Sequence, residues 1–203
     1  HEPPTTISIM GATARLAELL KEMAAEENLD RALDRLAQSA LENTGSRNAL
    51  VARMTDALGL LEIRHGAGPE WELISSDDEG LQIDVNTQSG IVAYVAATGK
   101  TVSTGDVRNE PRYENLFDTT LSELAVPIHD SEGRMRAVLN VESDQMNAYS
   151  PKEQAVCELL AQVAAMALDR HRSSEREEAL IEVGAALASA MTEQELVERV
   201  IRV

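Results

Sequence analysis

Residues 122–153 read SELAVPIHDSEGRMRAVLNVESDQMNAYSPKE, and this stretch decides the architecture. Two aliphatic runs, Glu123 to His129 and Arg136 to Glu142, lie around Asp130-Ser131-Glu132-Gly133, a short loop with its glycine near the end, as hairpin turns require. Alternation puts Leu124, Val126 and Ile128 on one face of the first run, and Ala137, Leu139 and Val141 on one face of the second. The opposite face gathers Glu123, Asn140 and Glu142. Cover for the oily face follows at once. Ser150-Pro151-Lys152-Glu153 combines an N-cap serine, proline at the first helical position and a capping-box glutamate. Val156, Leu159, Leu160, Val163, Ala167 and Leu168 then recur at helical spacing. From Lys152 onward there is no proline and only Gly184, which predicts one long helix continuing beyond Arg172.

Toward the N-terminus, Ile9 to Leu41 is helical in pattern. One apolar stripe holds Leu16, Leu19, Leu20 and Met23; a second, capped by Asn28, holds Leu29, Leu33, Leu36, Ala40 and Leu41 and ends at Thr44-Gly45-Ser46. Strand-like runs follow at Asn48 to Thr55 and Leu60 to His65, joined by a turn containing Asp56 and Gly59. Trp71 to Ser75, after Gly66-Ala67-Gly68-Pro69, is the third strand candidate. A short helix spans Gly90 to Thr98, with Ser89 or Thr87 as cap and Gly99 as terminator. Thr101 to Val107 is extended, and Arg108 to Thr120 is polar and irregular around Pro111. Sequential strands with short turns predict an antiparallel meander, hence an α+β fold with both terminal helices on one sheet face.

Composition narrows the function. The chain has 203 residues, 18 basic and 35 acidic, for a net charge of -17, and lacks a basic stripe. Such a surface repels phosphate backbones and anionic lipid, so neither nucleic acid nor a membrane surface is an expected partner. Cys157 is the single cysteine, which excludes an internal disulfide framework and a multi-cysteine zinc site and fits a reducing, cytoplasmic setting. No apolar run reaches the roughly 20 residues that span a bilayer, and no signal-peptide pattern is present. His65, His129 and His171 are scattered without ligand spacing, so no metal is expected.

Five short pieces, in order, carry a family resemblance: Thr98-Gly99-Lys100-Thr101-Val102; Asp106-Val107-Arg108-Asn109-Glu110-Pro111-Arg112-Tyr113; Ser122-Glu123-Leu124-Ala125-Val126-Pro127-Ile128; Val138-Leu139-Asn140-Val141-Glu142-Ser143; and Tyr149-Ser150-Pro151-Lys152-Glu153. Together with the order of elements they resemble the GAF family over residues 28–171. The resemblance implies a six-stranded antiparallel sheet, PAS-like, with a small-molecule pocket on one face. It also implies a cytoplasmic sensory or regulatory role in a bacterial-type signalling protein rather than an enzyme. Residues 1–27 are then a helical lead-in. Glu193-Gln194-Glu195-Leu196, Val200 and Val203 parallel Glu26-Glu27-Asn28-Leu29, Leu33 and Leu36 at a constant offset, so 172–203 reads as a connecting helix and the start of a second such domain. Subtype motifs depart from the chain. Asn109 is followed by Glu110, and Phe117 is followed four residues on by Leu121-Ser122, unlike the cyclic-nucleotide subtype. The lone Cys157 lies in the last helix, away from where a bilin would be linked, and cannot complete the disulfide cycle of the free methionine sulfoxide reductase subtype.

The expected ligand site places Glu123, Asn140 and Glu142 beneath the loop carrying Asp106, Arg108, Arg112 and Tyr113, with Tyr94 as a wall. Arg112 with Tyr113 is suited to fork onto a carboxylate or phosphate, or to pin the loop through Asp106. No catalytic residue is assigned, and no cofactor is specified. The charged segment Arg170 to Glu178, with Leu180, Val183 and Leu187 beyond it, suits a homodimer through the terminal helices. Two alternatives stand beside the sensor: a structural dimerisation module without ligand, and a small-molecule enzyme using Glu123 and Glu142.

Overall fold

The computed structural model describes residues 21–22, 25–26, 28–55, 57, 59–74 and 80–201, with side chains described to 186. The apolar stripe of Leu16, Leu19, Leu20 and Met23, and the side chains on which the terminal repeat rests, lie outside the described residues. The chain forms two units, one ending at Leu168 and the other running from Asp169.

In the first unit, helix α1 (Leu29–Thr44) begins where the Asn28 side chain accepts from the Arg31 amide at 2.9 Å. It ends at Gly45 in the left-handed conformation. Strands β1 (Asn48–Met54) and β2 (Leu60–Ala67) follow, then helix α2 (Pro69–Ile74) and strand β3 (Leu81–Asp84). Helix α3 (Ile91–Thr98) leads to β4 (Val102–Thr104) and a 3-10 turn at Val107–Asn109. The hairpin β5 (Ser122–His129) and β6 (Met135–Ser143) precedes helix α4 (Pro151–Ile201). The six strands form one sheet in the order β3-β2-β1-β6-β5-β4, every pairing antiparallel. The central contact joins β1 to β6, strands far apart in sequence, with Asn48 opposite Glu142 and Leu50 opposite Asn140.

One face of the sheet carries Leu124, Val126, Ile128, Ala137, Leu139 and Val141, buried against Leu33, Leu36 and Ala40 of α1 and Cys157, Leu160 and Ala164 of α4. The strand alternation therefore sorts the faces as expected. His65 fastens α1 across β2, its Nδ1 lying 2.9 Å from Asp34 and its Nε2 3.4 Å from Asp30. The α4 entrance is the capping box. The Ser150 amide donates to Glu153 at 3.0 Å, and the Lys152 amide to Ser150 Oγ at 3.2 Å. The second core lies on the other face, where Leu50, Ala52, Leu61, Ile63, Ala125 and Val138 meet Ile91, Val92 and Val95 of α3.

The structure corrects the sequence reading around Trp71. Trp71 to Ser75 does not form a third strand: Pro69–Ile74 is helical, with Pro69 in its first turn beside the acidic Glu70 and Glu72. Its amides at Glu70 and Trp71 find Asn48 Oδ1 at 3.1 and 3.3 Å, a cap delivered from β1 that no local sequence rule reveals. The third sheet member is instead the short run Leu81–Asp84. Helix α3 is preceded by Gly90 without a side-chain cap, and neither Ser89 nor Thr87 takes that role.

Two glycines are required here. A Cβ on Gly66 would stand 2.6 Å from the Trp71 ring, and one on Gly68, at φ +118°, only 2.3 Å from the Arg47 carbonyl oxygen. Gly68→Ala is therefore expected to cost about 3 kcal/mol or more, since backbone strain and a clash with backbone add together. Denaturant unfolding would show it as a lowered midpoint; an unchanged midpoint would mean the turn relaxes freely.

The second unit is helical through Ile201 and bears a His171–Glu175 pair at 3.3 Å. Leu180, Ile181 and Val183 are exposed along it. Among the described residues no helix is long and apolar enough to cross a membrane.

Candidate functional site

Between the second sheet face, α3 and the loop that precedes β5 lies a cavity of about 180 Å³. Its walls are largely aliphatic, with Leu50, Ile63, Ile83, Ile91 and Val92 prominent and Gln82, Ser89, Glu114 and Asn115 at the polar margin, and its floor carries Glu123, Asn140 and Glu142 from the β5–β6 hairpin. Strand register explains the grouping. Glu123 stands directly opposite Glu142 in the antiparallel ladder, and Asn140 is two residues along β6 on the same face. Side chains so placed start about 5 Å apart at Cβ. All three are almost wholly buried, at 4%, 2% and 4% exposure for Glu123, Asn140 and Glu142.

Glu142 is held by two donors, Thr120 Oγ1 at 2.5 Å and Asn140 Nδ2 at 3.0 Å. That second bond fixes the Asn140 amide and turns Oδ1 away from Glu142. Asn140 Oδ1 is buried and has no hydrogen-bond partner, an arrangement that costs about 1–3 kcal/mol. Burial raises the Glu142 carboxyl to about 7. Burial, then the Glu142 charge, raises Glu123 well above the ordinary carboxylate range. Further along the same polar line, Glu70 of α2 accepts from Thr119 Oγ1 at 2.8–2.9 Å and from Asn48 Nδ2 at 2.8 Å.

The other expected site residues sit elsewhere. Arg108 forks onto Asp106 at 2.7 and 2.8 Å, and its hydrogen bonds hold the Asp106 carboxyl below its usual value. Arg112 forks onto Glu110 at 2.6 and 2.9 Å and stacks on Tyr94, 4.3 Å from the ring centre. These arginines are thus engaged with loop carboxylates two residues upstream, and neither lines the cavity. Tyr94 and Asp106 do not line it either. Tyr113 packs against the second core and donates to Asn115 Oδ1 at 3.0 Å; desolvation pushes its phenol up to about 12.

Sequence reasoning did not assign Glu114, Ser89 or Glu70 to the site. Ser89 Oγ donates to Glu114, both on the cavity wall, so the segment entering α3 is latched to the loop. Among the described residues the cavity lining contains no lysine, arginine or histidine. Among the described residues no cluster of three or more His, Cys, Asp or Glu is arranged to hold a metal. Cys157 belongs to the core on the opposite sheet face, where burial pushes its thiol up to about 12.

This geometry can hold a compact, largely apolar molecule against a hydrogen-bonding floor. No curated protein matches the chain. Solved structures do. The GAF domain of a phosphoenolpyruvate-protein phosphotransferase from Coxiella burnetii superposes with a TM-score of 0.71 at 18% identity, covering 82% of this chain and 98% of that one. The free methionine-R-sulfoxide reductase of Neisseria meningitidis, solved with its substrate, gives 0.68 at 21% identity, covering 86% and 97%. A segment of a methyl-accepting chemotaxis protein gives 0.62 at 16%, covering 75% and 96%. At these identities the likeness is one of fold. The family model for the GAF domain matches residues 26–169, well over half of the sequence. The chain belongs to the GAF domain family.

Proposed function

We propose that the chain is a cytoplasmic sensory or regulatory module of a signalling protein, holding a small ligand in this cavity and relaying its presence through the terminal helices. The observation that carries the reading is the cavity floor. Glu123, Asn140 and Glu142 are nearly inaccessible yet line an open space, and one of their acceptors is left without a donor. In the large majority of cases buried side-chain polar atoms are hydrogen-bonded, so an unsatisfied one beside a cavity points to a partner. The relay rests on α4, whose turns to Leu168 cover the opposite face of the same strands. A ligand that favours one packing of that helix over another shifts the population between them.

The reading is regulatory rather than catalytic because reductase chemistry on this fold calls for paired thiols, and the lone Cys157 is buried behind the sheet. It includes a homodimer through the terminal helices, supported by the exposed Leu180, Ile181 and Val183.

Native mass spectrometry of the purified chain is expected to show a dimer carrying a small molecule that leaves on denaturation. A bare monomer, with a melting temperature unmoved by nucleotides, amino acids, amines and aromatic acids, would contradict the proposal.

A further inference from the structure

The formal charge of the cavity is one-sided. With the carboxyls of Glu123 and Glu142 ionised, the floor groups left to meet a ligand, those two and Asn140 Oδ1, are all acceptors, while on the wall Ser89 Oγ and Asn115 Nδ2 already donate to Glu114 and Asp118 and Gln82 adds a neutral amide. Asn140 Nδ2, the only donor on the floor, is already used on Glu142. Glu114 adds a further carboxylate on the wall, and among the described residues no basic side chain lines the cavity. An anion entering here would meet carboxylates without a counter-charge. A zwitterionic amino acid would meet the same difficulty at its carboxylate end. Among the described residues no group of three or more His, Cys, Asp or Glu is placed to hold a metal ion.

The titratable groups coupled to the pair are Glu70 from α2, itself paired with Arg47 at 3.6 Å, Glu110 and Tyr113 from the loop and Tyr149 ahead of α4, with Glu114 on the wall. All become more negative or stay neutral as pH rises. From β1 the pair meets Asn48 and Leu50, and α3 contributes Ile91, Val92 and Ala93, none of which titrates. The environment therefore favours a positive guest and, without one, retained protons.

Resting on the reading of this cavity as a ligand site, we propose that it is a receptor for a primary alkylammonium ion, whose three N–H bonds are taken by Glu123, Glu142 and Asn140 Oδ1. The count matches the geometry. Two acceptors come from residues opposite each other on neighbouring strands, and the third from the next same-face position on β6. The aliphatic walls take the carbon body. A dry cavity of about 150 Å³ admits a benzene-sized molecule, so about 180 Å³ suits a branched chain of similar size. Binding replaces a carboxyl proton, which passes to solvent, with the ammonium charge. The site then holds an ion pair in place of a neutral acid.

The test uses the full chain in isothermal titration calorimetry with four probes sharing one carbon body: isoamylamine, isoamyl alcohol, isovalerate and trimethyl(isoamyl)ammonium. The expected result is that isoamylamine binds tightest and the trimethylated cation at least about tenfold more weakly, since it offers no N–H. Isoamylamine affinity should rise as pH climbs through about 7. It should fall about tenfold or more in Glu142→Gln, and be lost in Ile83→Trp, which fills the cavity from a half-buried wall position. Tightest binding by isoamyl alcohol or isovalerate, affinity falling with pH, or binding unaffected by either substitution would overturn the ammonium proposal. If one of those other probes binds and Ile83→Trp abolishes it, the cavity reading stands while the ammonium class falls. If no probe binds and native mass spectrometry finds no guest, both fall.

Discussion

A chain that ends at Ala148 is expected to show no cooperative thermal transition. The aliphatic face of β5 and β6 is sheltered by α1 and by the turns of α4 up to Leu168. Cys157, Leu160 and Ala164 are fully buried there, and Ala161, Val163, Ala167 and Leu168 nearly so. Burial of apolar surface is the dominant favourable term in folding, at about 25 cal/mol per Å² removed from water. Net stability is only about 5–15 kcal/mol, so the loss of one whole wall of the core exceeds what the domain holds in reserve. A graded version avoids dependence on one deletion. Leu160→Ala, at a fully buried position, should cost about 2–5 kcal/mol as the cavity it leaves is only partly filled. Calorimetry would decide. A sharp melt from the shortened chain, or Leu160→Ala within about 0.5 kcal/mol of the parent, would show that α4 is not part of the fold's core.

The second large effect concerns pH. In the folded chain Glu142 titrates near 7, above its ordinary 4.5, because burial penalises the anion. As pH rises above 4.5 the unfolded chain loses this proton while the folded chain keeps it. The folded state therefore binds more protons, and stability declines until the folded carboxyl also ionises near 7. The accumulated penalty at pH 8 is about 3 kcal/mol by linkage. Glu142→Gln removes it. The amide keeps one acceptor and gives up another, which offsets about 1 kcal/mol. A net gain of about 2 kcal/mol remains, or roughly 4–8 °C in melting temperature for a domain of this size. The gain should shrink toward pH 5, where the parent carboxyl is protonated in the folded state. A variant that melts lower than the parent at pH 8, or follows the same pH curve, would show that the Glu142 carboxylate is not penalised in the fold. The same substitution is thus expected to stabilise the empty protein while weakening its grip on an amine, the usual opposition between a site built for a guest and a site left vacant.

The parts of the fold that were legible in the sequence are those governed by neighbours in the chain. The hairpin followed from alternation around Asp130 to Gly133, α4 from the capping box at Ser150, and α1 from Asn28 and Gly45, because each signal and its effect lie within a few residues. Where reading failed, the deciding contact came from a distance. Pro69 with Glu70 is itself a helix-start signal, but the cap that secures α2 is Asn48, more than twenty residues earlier. The short Leu81–Asp84 run is recruited by the open edge of β2. The floor of the cavity was legible because period-two alternation alone assigns Glu123, Asn140 and Glu142 to one side. The engagement of Arg108 and Arg112 was not, because each had carboxylates at several sequence distances from which to choose. Geometry selected the residue two positions upstream in both cases, Asp106 and Glu110.

Trp71 is the single tryptophan of the chain, and it lies flat over Gly66 in the core that also bounds the cavity. Its neighbour Glu70 is electrostatically linked to Glu142. The protein therefore carries one tryptophan fluorophore, shielded from quenching by solvent and one residue away from the polar line that ends at the cavity floor. Its emission colour and intensity give a label-free optical trace in which occupancy, titration and unfolding are read from a single known position.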